Sequence, residues 1–323
     1  MKAILCRNYG PPDVLKCEEI AKPAVGDDEV LIRVLAASVN PVDRLFEGTS
    51  YLLRPMTGLR KPKDPRVGAD LAGQVEAIGR NVTRFKPGDE VFGVCKGAFA
   101  EYACASESKL ALKPANVSFE QAASVPVAGL TALQGLRDKG KIQPGQKVLI
   151  NGATGGVGTF AVQIAKSFGA DVTGVCSTTK VEMVRSIGAD CVIDYSREDF
   201  TKGTQRYDLI FDLAANHSLS ACRRVLAPKG IYVLAGGPKK LSTFMGCVLK
   251  GLMLSRFVSQ NFVTFIAQIR SEDLNIMGEL MKTGKVTPVI DRRYTLSEVP
   301  GAIRYLEEGH ARGKVVITFG SAC

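Results

Sequence analysis

Two patterns of apolar and polar residues divide the chain. Over about the first 110 residues, short β-branched runs alternate with Gly, Pro and Asp, which is typical of strands joined by tight turns. These runs predict strands at residues 29–39, 70–79, 89–94 and 99–105. The N-terminal part is therefore expected to be an irregular all-β unit.

From about residue 118 the pattern changes to alternating strands and helices. Residues 118–140 predict a helix that is opened by Ser118, broken near Pro126 and closed by Gly140. The strands that follow are predicted at 147–150, 171–176, 191–195, 207–215 and 230–236, with helices at 157–169, 180–189 and 218–226. Nearly continuous apolar strands in this order predict a doubly wound α/β fold, with a parallel sheet covered on both faces.

β character returns near the C-terminus. After a helical pattern at residues 270–283, a closing strand is predicted at 313–319. We expect this last segment to rejoin the N-terminal β unit. At 323 residues, the chain is long enough for two domains, each with its own core.

Charge and cysteine content narrow the class of protein. Lys and Arg total 42 against 32 Asp and Glu, but these basic residues are scattered and form no nucleic-acid-binding motif. We therefore expect an acidic small-molecule ligand and no nucleic acid. Nine cysteines without a C-x-x-C pair are typical of a reducing compartment, and the N-terminal residues lack a signal-peptide pattern. Together these features predict a cytoplasmic protein.

Residues 241–267 are the most membrane-like segment. Lys250, Arg256 and the Gln260–Asn261 pair interrupt it, so it is not expected to span a bilayer. Buried helices or a subunit contact are the favoured interpretation. Peripheral membrane contact is the alternative.

A glycine-rich turn connects the strand at 147–150 to the helix after it. Its residues are Gly152, Ala153, Thr154, Gly155, Gly156, Val157 and Gly158. Four glycines let the backbone turn tightly and approach a pyrophosphate, while the free N–H groups of the helix face the anion. Because the motif lies between a strand and a helix, we interpret it as a dinucleotide-binding loop rather than a turn chosen for packing alone.

The next strand ends in the sequence CSTTK, where a dinucleotide-binding protein contacts the adenosine ribose. Ser177 and Thr178 offer hydroxyl groups and Lys180 offers a cation, whereas an NAD-binding protein places an acid at this point. Hydroxyl donors and a cation suit a 2′-phosphate, which a carboxylate would repel. The two hydroxyl residues are also suited to capping the following helix, and capping is compatible with phosphate binding. The sequence therefore predicts NADPH as the cofactor.

Several motifs together resemble the medium-chain dehydrogenase/reductase superfamily. They are NPVDRLFEG, PGDEV, AASVPVAGLTA, GATGGVG, GADCVIDY, LSEVPGAI and GKVVI, spread over essentially the whole chain. The chain looks most like the zinc-free quinone-oxidoreductase branch and is similar to reticulon-interacting mitochondrial reductases. The resemblance implies a GroES-like catalytic domain at 1–120 and 268–323, with a Rossmann NADP-binding domain inserted at 121–267. It also implies an oligomer, which we expect to be a homodimer.

The resemblance also bears on metal content. Zinc-dependent members carry a cysteine ligand where this chain has Asn40, and a histidine ligand where it has Ala69. The lobe of four closely spaced cysteines is missing, and the chain contains two histidines in total. We therefore expect no catalytic zinc. Without a Lewis acid to stabilise an alkoxide, hydride transfer is expected to an electrophilic acceptor, a quinone or an α,β-unsaturated carbonyl compound.

By resemblance, Asn40, Tyr51 and Thr131 are the candidate catalytic residues, with Asp43 supporting the turn at 40–43. Thr131 is equally well explained as a helix residue that bonds to its own backbone, and Tyr51 as an amphipathic loop residue. The remaining predicted cofactor ligands are Tyr195, Leu234, Gly236, Gly237 and Lys314. For Lys314, flanking the last strand is the alternative.

Three functions are compatible with these residues. The leading hypothesis is an NADPH-dependent reductase of quinones or enones. An enoyl-thioester reductase is the nearest enzymatic alternative. Because no catalytic acid is compulsory, a non-catalytic NADPH-binding protein with a regulatory or assembly role is the third.

Overall fold

Two compact units make up the chain. A computed structural model describes residues 1–47, 58, 60–236 and 259–320. The first unit contains residues 1–128, 269–284 and 288–323, and the second contains 129–268 and 285–287. The sequence placed the two boundaries at 120/121 and 267/268, whereas the structure divides the chain at 128/129 and 268/269 and assigns 285–287 to the second unit.

The first unit is built on two sheets whose strands pair antiparallel, except for one parallel pair between Ile290–Thr295 and Lys314–Thr318. Strands β1 (Lys2–Cys6) and β2 (Leu15–Glu19) form a two-stranded sheet. A larger sheet has the order β14-β15-β3-β4-β5-β7, with β6 also paired to β3. Its strands are β3 (Glu29–Val39), β4 (Asp70–Ile78), β5 (Glu90–Val94), β6 (Tyr102–Ser106), β7 (Leu110–Leu112), β14 (Ile290–Thr295) and β15 (Lys314–Thr318). The closing strand pairs with β3 and so rejoins the N-terminal β unit, which the sequence predicted.

Antiparallel register brings three strand ends together in this sheet. Ser38 lies opposite Asp70, the first residue of β4, and Val39 lies opposite Val315, the second residue of β15. The C-terminal end of β3 therefore meets the N-terminal ends of both neighbours. Apolar side chains such as Ile32, Leu71 and Phe99 are fully buried in the core around them.

The second unit contains a six-stranded parallel sheet in the order β10-β9-β8-β11-β12-β13. Its strands are β8 (Lys147–Asn151), β9 (Asp171–Cys176), β10 (Cys191–Asp194), β11 (Tyr207–Asp212), β12 (Leu226–Leu234) and β13 (Asn261–Thr264). Chain order reverses direction across the sheet between β8 and β11. The carboxyl ends of these two central strands flank the crevice in which doubly wound folds bind ligands.

The helices start and stop largely where the sequence predicts. They are α1 (Phe119–Ala123), α2 (Pro126–Gln134), α3 (Gly156–Ser167), α4 (Val181–Ser186), α5 (Leu219–Arg224), α6 (Ser271–Lys282) and α7 (Val299–Glu307). Ser118 caps α1 in a capping box with Gln121, and Pro126 begins α2 because its missing N–H costs nothing there. A π-helical turn at Gly135–Lys139, which the sequence did not predict, carries the chain to Gly140.

No helix in the described ranges is long and apolar enough to cross a membrane. Most of segment 241–267 lies outside the described residues, so its predicted burial stays a prediction. Seven cysteines lie within the described part of the chain, and all seven are free thiols.

Candidate functional site

The glycine-rich loop forms an anion cradle at the carboxyl end of β8. Gly152 has φ +92°, a conformation that favours glycine. A Cβ on Gly158 would lie 2.1 Å from the Gly152 carbonyl oxygen, so α3 can approach the loop only with glycine there. Gly155 is the N-cap of α3 and supplies no side-chain hydrogen bond. The N–H groups of the first helical turn are therefore available to a pyrophosphate, and the cradle fits a dinucleotide.

The rest of the loop is anchored rather than exposed. Ala153 and Thr154 are buried, and the Ala153 N–H donates to the Val175 carbonyl oxygen at 3.1 Å. Val157 is half-buried in the first turn of α3. This arrangement leaves the loop backbone, rather than its side chains, to meet a ligand.

Asp212, which ends β11, organises the same edge of the sheet. Its carboxylate accepts hydrogen bonds from Asn151 Nδ2 at 2.9 Å and from the Tyr232 hydroxyl at 2.6 Å. It also accepts the N–H groups of Ala214 and Ala215. Asp212 is fully buried, and it holds β8, β12 and the loop after β11 in one network. We did not single it out from the sequence, although an acid ending an apolar strand is a visible signal.

The chain after β12 passes close to this network. The Gly236 N–H donates to the Asp212 carbonyl oxygen at 3.3 Å, and a Cβ on Gly236 would lie 2.1 Å from the Leu213 carbonyl oxygen. Gly236 therefore permits a close backbone approach at the carboxyl edge, where it was predicted. Leu234 is buried in the core of the unit, so any cofactor contact would have to come from its backbone. Gly237 lies outside the described residues.

One of the predicted ribose-phosphate residues bonds to an acid that sequence reasoning overlooked. Ser177 and Thr178 follow β9, and the Thr178 hydroxyl donates to Asp194 Oδ2 at 2.6 Å. That hydrogen bond lowers the pKa of Asp194, so the carboxylate is ionised. Arg197 lies 3.5 Å from the same carboxylate. Tyr195 is 57% exposed beside it, and Lys180 is half-buried in the turn after β9.

The first unit holds a buried polar cluster at the meeting point of β3, β4 and β15. Asn40 donates from Nδ2 to Asp70 Oδ2 at 2.8 Å and accepts at Oδ1 from Lys314 Nζ at 2.6 Å. Asp70 also accepts from the Ser38 hydroxyl and the Val127 N–H, and it lies 3.6 Å from Lys314 Nζ. The amide of Asn40 is thus held in one orientation from both sides.

Asp43 completes this cluster. It lies in a 3₁₀ turn, Pro41–Glu47, and its Oδ2 accepts the Asn40 N–H at 2.7 Å, which is the turn support predicted for it. Burial raises the pKa of Asp43 to about 7. Burial also raises the pKa of Asp70 and lowers that of Lys314, because both charged forms lose hydration.

The other predicted residues are placed as follows. Lys314 is 3% exposed and contacts Asn40 and Val39, so its predicted cofactor contact stays a prediction. Thr131 is half-buried in α2, which does not choose between its two interpretations. Tyr51 lies outside the described residues. Among described residues, no group of three or more His, Cys, Asp or Glu could hold a metal ion.

Two family models match the chain. Residues 26–115 match the alcohol dehydrogenase GroES-like domain, and residues 187–317 match a domain described as zinc-binding dehydrogenase. The first match lies within the predicted GroES-like part, whereas the second begins inside the predicted Rossmann part and continues into the C-terminal strands of the first unit.

Individual relatives resemble the chain over nearly its whole length. The NADPH-dependent alkenal/one oxidoreductase of Arabidopsis thaliana chloroplasts is 35% identical over 98% of this chain and 79% of that protein. The human mitochondrial NAD(P)H oxidoreductase RTN4IP1 is 33% identical, covering 98% of this chain and 89% of that protein. The structure of the Coxiella burnetii quinone oxidoreductase matches with a TM-score of 0.84 and 31% identity, covering 98% and 99% of the two chains.

Gly158 and Gly155 offer a matched pair of substitutions in the cradle. We expect Gly158→Ala to lower the free energy of unfolding by about 2 kcal/mol, because its methyl group would overlap the Gly152 carbonyl. Gly155→Ala should change it by less than about 0.5 kcal/mol, since a Cβ there meets only the Gly152 carbonyl oxygen at 3.8 Å. Urea unfolding without cofactor measures both values. Equal stability of the two variants would contradict the packing argument.

The buried lysine offers a second test. Lys314→Met should lower the free energy of unfolding by about 3 kcal/mol, because Asp70 is left in the core without its cation. Adding Asp70→Asn removes the uncompensated charge, so the double variant should lose less than the sum of the single losses. Urea unfolding of the four proteins at pH 7 completes the cycle. Additive losses would mean that the two side chains are not coupled.

Proposed function

The chain belongs to the medium-chain dehydrogenase/reductase superfamily, and we propose that it is a zinc-independent, NADPH-dependent reductase of quinones or α,β-unsaturated carbonyl compounds. The relatives are oxidoreductases, and the second unit has their dinucleotide-binding fold. The finer proposal concerns the cofactor, the metal and the acceptor.

The observation that carries the proposal is the state of the Asn40 cluster. Asn40 is an amide rather than a thiol, its two polar ends are occupied by Asp70 and Lys314, and Ala69 beside Asp70 has no ligand atom. A neutral amide held in this way is a poor ligand for a divalent cation. The acceptor should therefore be electrophilic by its own structure.

Quinones and enones meet this requirement. When bound, NADPH supplies a hydride, and the incoming charge delocalises onto the substrate oxygen as a phenolate or enolate. The chain then has to bind the acceptor, orient it and stabilise that oxygen. We propose Asn40, Tyr51 and Thr131 as the residues that act there.

The glycine-rich loop and the residues after β9 support NADPH as the cofactor. Ser177, Thr178 and Lys180 offer two hydroxyls and a cation to a 2′-phosphate, and Tyr195 is exposed next to them. Asp194 opposes this preference, because its carboxylate occupies the Thr178 hydroxyl and would repel a phosphate. Arg197 partly offsets that charge. We propose that the cations prevail and that Thr178 turns from Asp194 to the phosphate. We also propose that the protein forms a homodimer and that it is cytoplasmic.

Turnover tests the reaction. We expect NADPH consumption with small enones and quinones and much slower consumption with saturated aldehydes, whose reduction requires alkoxide stabilisation. Absorbance at the nicotinamide band measures both, after dialysis against a chelator and with metal content determined on the same sample. Tight NADPH binding without turnover of enones, quinones or enoyl thioesters would instead favour a binding protein. Activity that tracks stoichiometric zinc would contradict the metal-free mechanism.

Lys180→Ala tests the cofactor preference. We expect it to weaken NADPH binding at least about tenfold and NADH binding little, because a charge-assisted contact to the 2′-phosphate is lost. Asp194→Asn should shift the ratio of the two affinities in the opposite direction, since it removes the opposing carboxylate. Fluorescence titration with each nucleotide measures both.

The matched control is Lys202→Ala. Lys202 is an exposed lysine of the same unit, and its ammonium lies 3.9 Å from the Asp199 carboxylate. Its removal lowers the net charge equally, so it reports the general electrostatic loss. Equal losses of NADPH and NADH affinity in Lys180→Ala would contradict the assignment of Lys180.

A further inference from the structure

Asp43 is a buried acid with one oxygen that no described residue bonds. The residue is 6% exposed, and its Oδ2 accepts the Asn40 N–H at 2.7 Å. Its Oδ1 accepts no hydrogen bond from any residue that the structure describes. A buried carboxylate oxygen without a donor is costly, whereas a protonated carboxyl group can turn that position into a donor.

Asp43 is one of the residues that line a cavity within the first unit. The cavity has a volume of about 390 Å³, which is in the range of small-molecule sites. Val42, Val67 and Ala69 contribute apolar wall beside Asp43. A small enone or quinone ring is of a suitable size and polarity for this space.

The buried cluster has more acidic groups than basic ones, so it is neutral only if one carboxyl group is protonated. Asp43 and Asp70 provide two carboxyl groups against the single ammonium of Lys314. Asp70 receives hydrogen bonds from Ser38, Asn40 and Val127, which stabilise its carboxylate beside that ammonium. From the described residues, Asp43 receives one hydrogen bond. A neutral cluster therefore carries its proton on Asp43, and burial raises the pKa of this group to about 7.

Among its remaining ionisable groups, the described cavity wall carries one other carboxyl group, that of Asp64. The remaining ionisable groups are Cys6, Tyr9, Lys63, Asp64, Arg66, Cys95 and Lys96. Asp64 lies 2.7 Å from Arg66 and 3.1 Å from Lys96, and the Arg66 guanidinium holds its pKa well below the usual range. Burial raises the pKa of Cys6 to about 11 and also raises that of Cys95, so both are neutral thiols. Of the two carboxyl groups on this wall, only Asp43 holds a proton near neutral pH.

We propose that Asp43 is the general acid that protonates the reduced substrate in this cavity, a role that rests on the proposed function. A hydride that bound NADPH would supply, leaving NADP⁺, forms a C–H bond at the enone β-carbon, and the π-electron pair moves to give an enolate. The Asp43 O–H bond then breaks as an O–H bond forms on the enolate oxygen. The enol tautomerises to the saturated ketone, and the Asp43 carboxylate, held by the Asn40 N–H and near Lys314, regains a proton from water entering the cavity.

The pH dependence of turnover tests this assignment. Because the acid form is required, wild-type kcat should be highest below the pKa of Asp43 and fall as the pH rises through about 7. Asp43→Asn keeps an oxygen for the Asn40 N–H but has no proton to give, so kcat should fall about 100-fold and lose this alkaline limb. Asp43→Glu retains a titrating carboxyl group and should retain a limb. NADPH oxidation with one enone is measured for each protein at pH values from about 5 to about 9, which bracket the expected midpoint.

Asp64→Asn is the matched control, because it removes an ionised carboxylate from the same wall and should keep the alkaline limb. Thermal unfolding and NADPH affinity establish that each variant is folded. If Asp43→Asn does not fold, the wild-type and Asp43→Glu profiles decide. Wild-type turnover without a limb near pH 7, or a limb that persists in Asp43→Asn, overturns the role of Asp43 and leaves the reductase proposal standing. A wild type that turns over no acceptor overturns the proposed function and this role with it.

Discussion

The buried contact between Lys314 and Asp70 is the constraint on which the first unit's polar cluster depends. An ammonium in a protein core is tolerated only when a nearby opposite charge neutralises it and nearby acceptors take its hydrogen bonds. Lys314 begins β15 and Asp70 begins β4, and both flank the end of β3. The pair therefore joins three neighbouring strands at one point and holds the side chain of Asn40 between its charges.

The main consequence of this arrangement is that the side-chain amide of Asn40 has a fixed orientation. An amide side chain can rotate by half a turn at little cost in shape, but here each of its ends has a partner of opposite character. Lys314 can only donate and the Asp70 carboxylate can only accept, so Asn40 has one satisfactory orientation. The turn that follows is fixed in the same way, because the Asp43 carboxyl group accepts the Asn40 N–H.

The second unit uses an acid for a comparable purpose. Asp212 receives donors from β8, β12 and the loop that follows its own strand, so the elements around the glycine-rich loop share one buried acceptor. The loop itself contributes mainly backbone, since its glycines allow tight turns and its buried side chains anchor it. The loop and the first turn of α3 thus present a set of N–H groups whose positions do not depend on flexible side chains. The predicted ribose-phosphate site differs from the loop, because the charged side chains there, Asp194, Arg197 and Lys180, have opposing signs.

Local patterns were sufficient for the elements and for the cradle. Strand 29–39, the break at Pro126, the cap at Ser118 and the helix after Gly155 follow from side-chain periodicity and backbone preferences, which act over a few residues. The phosphate loop could be identified because all its residues are consecutive. Only the tertiary structure revealed that Lys314 and Asp70, 244 residues apart, share a buried contact with Asn40, and that Asp194 approaches Thr178. These contacts depend on strand register and on chain segments far apart in sequence, and no local pattern encodes either of them.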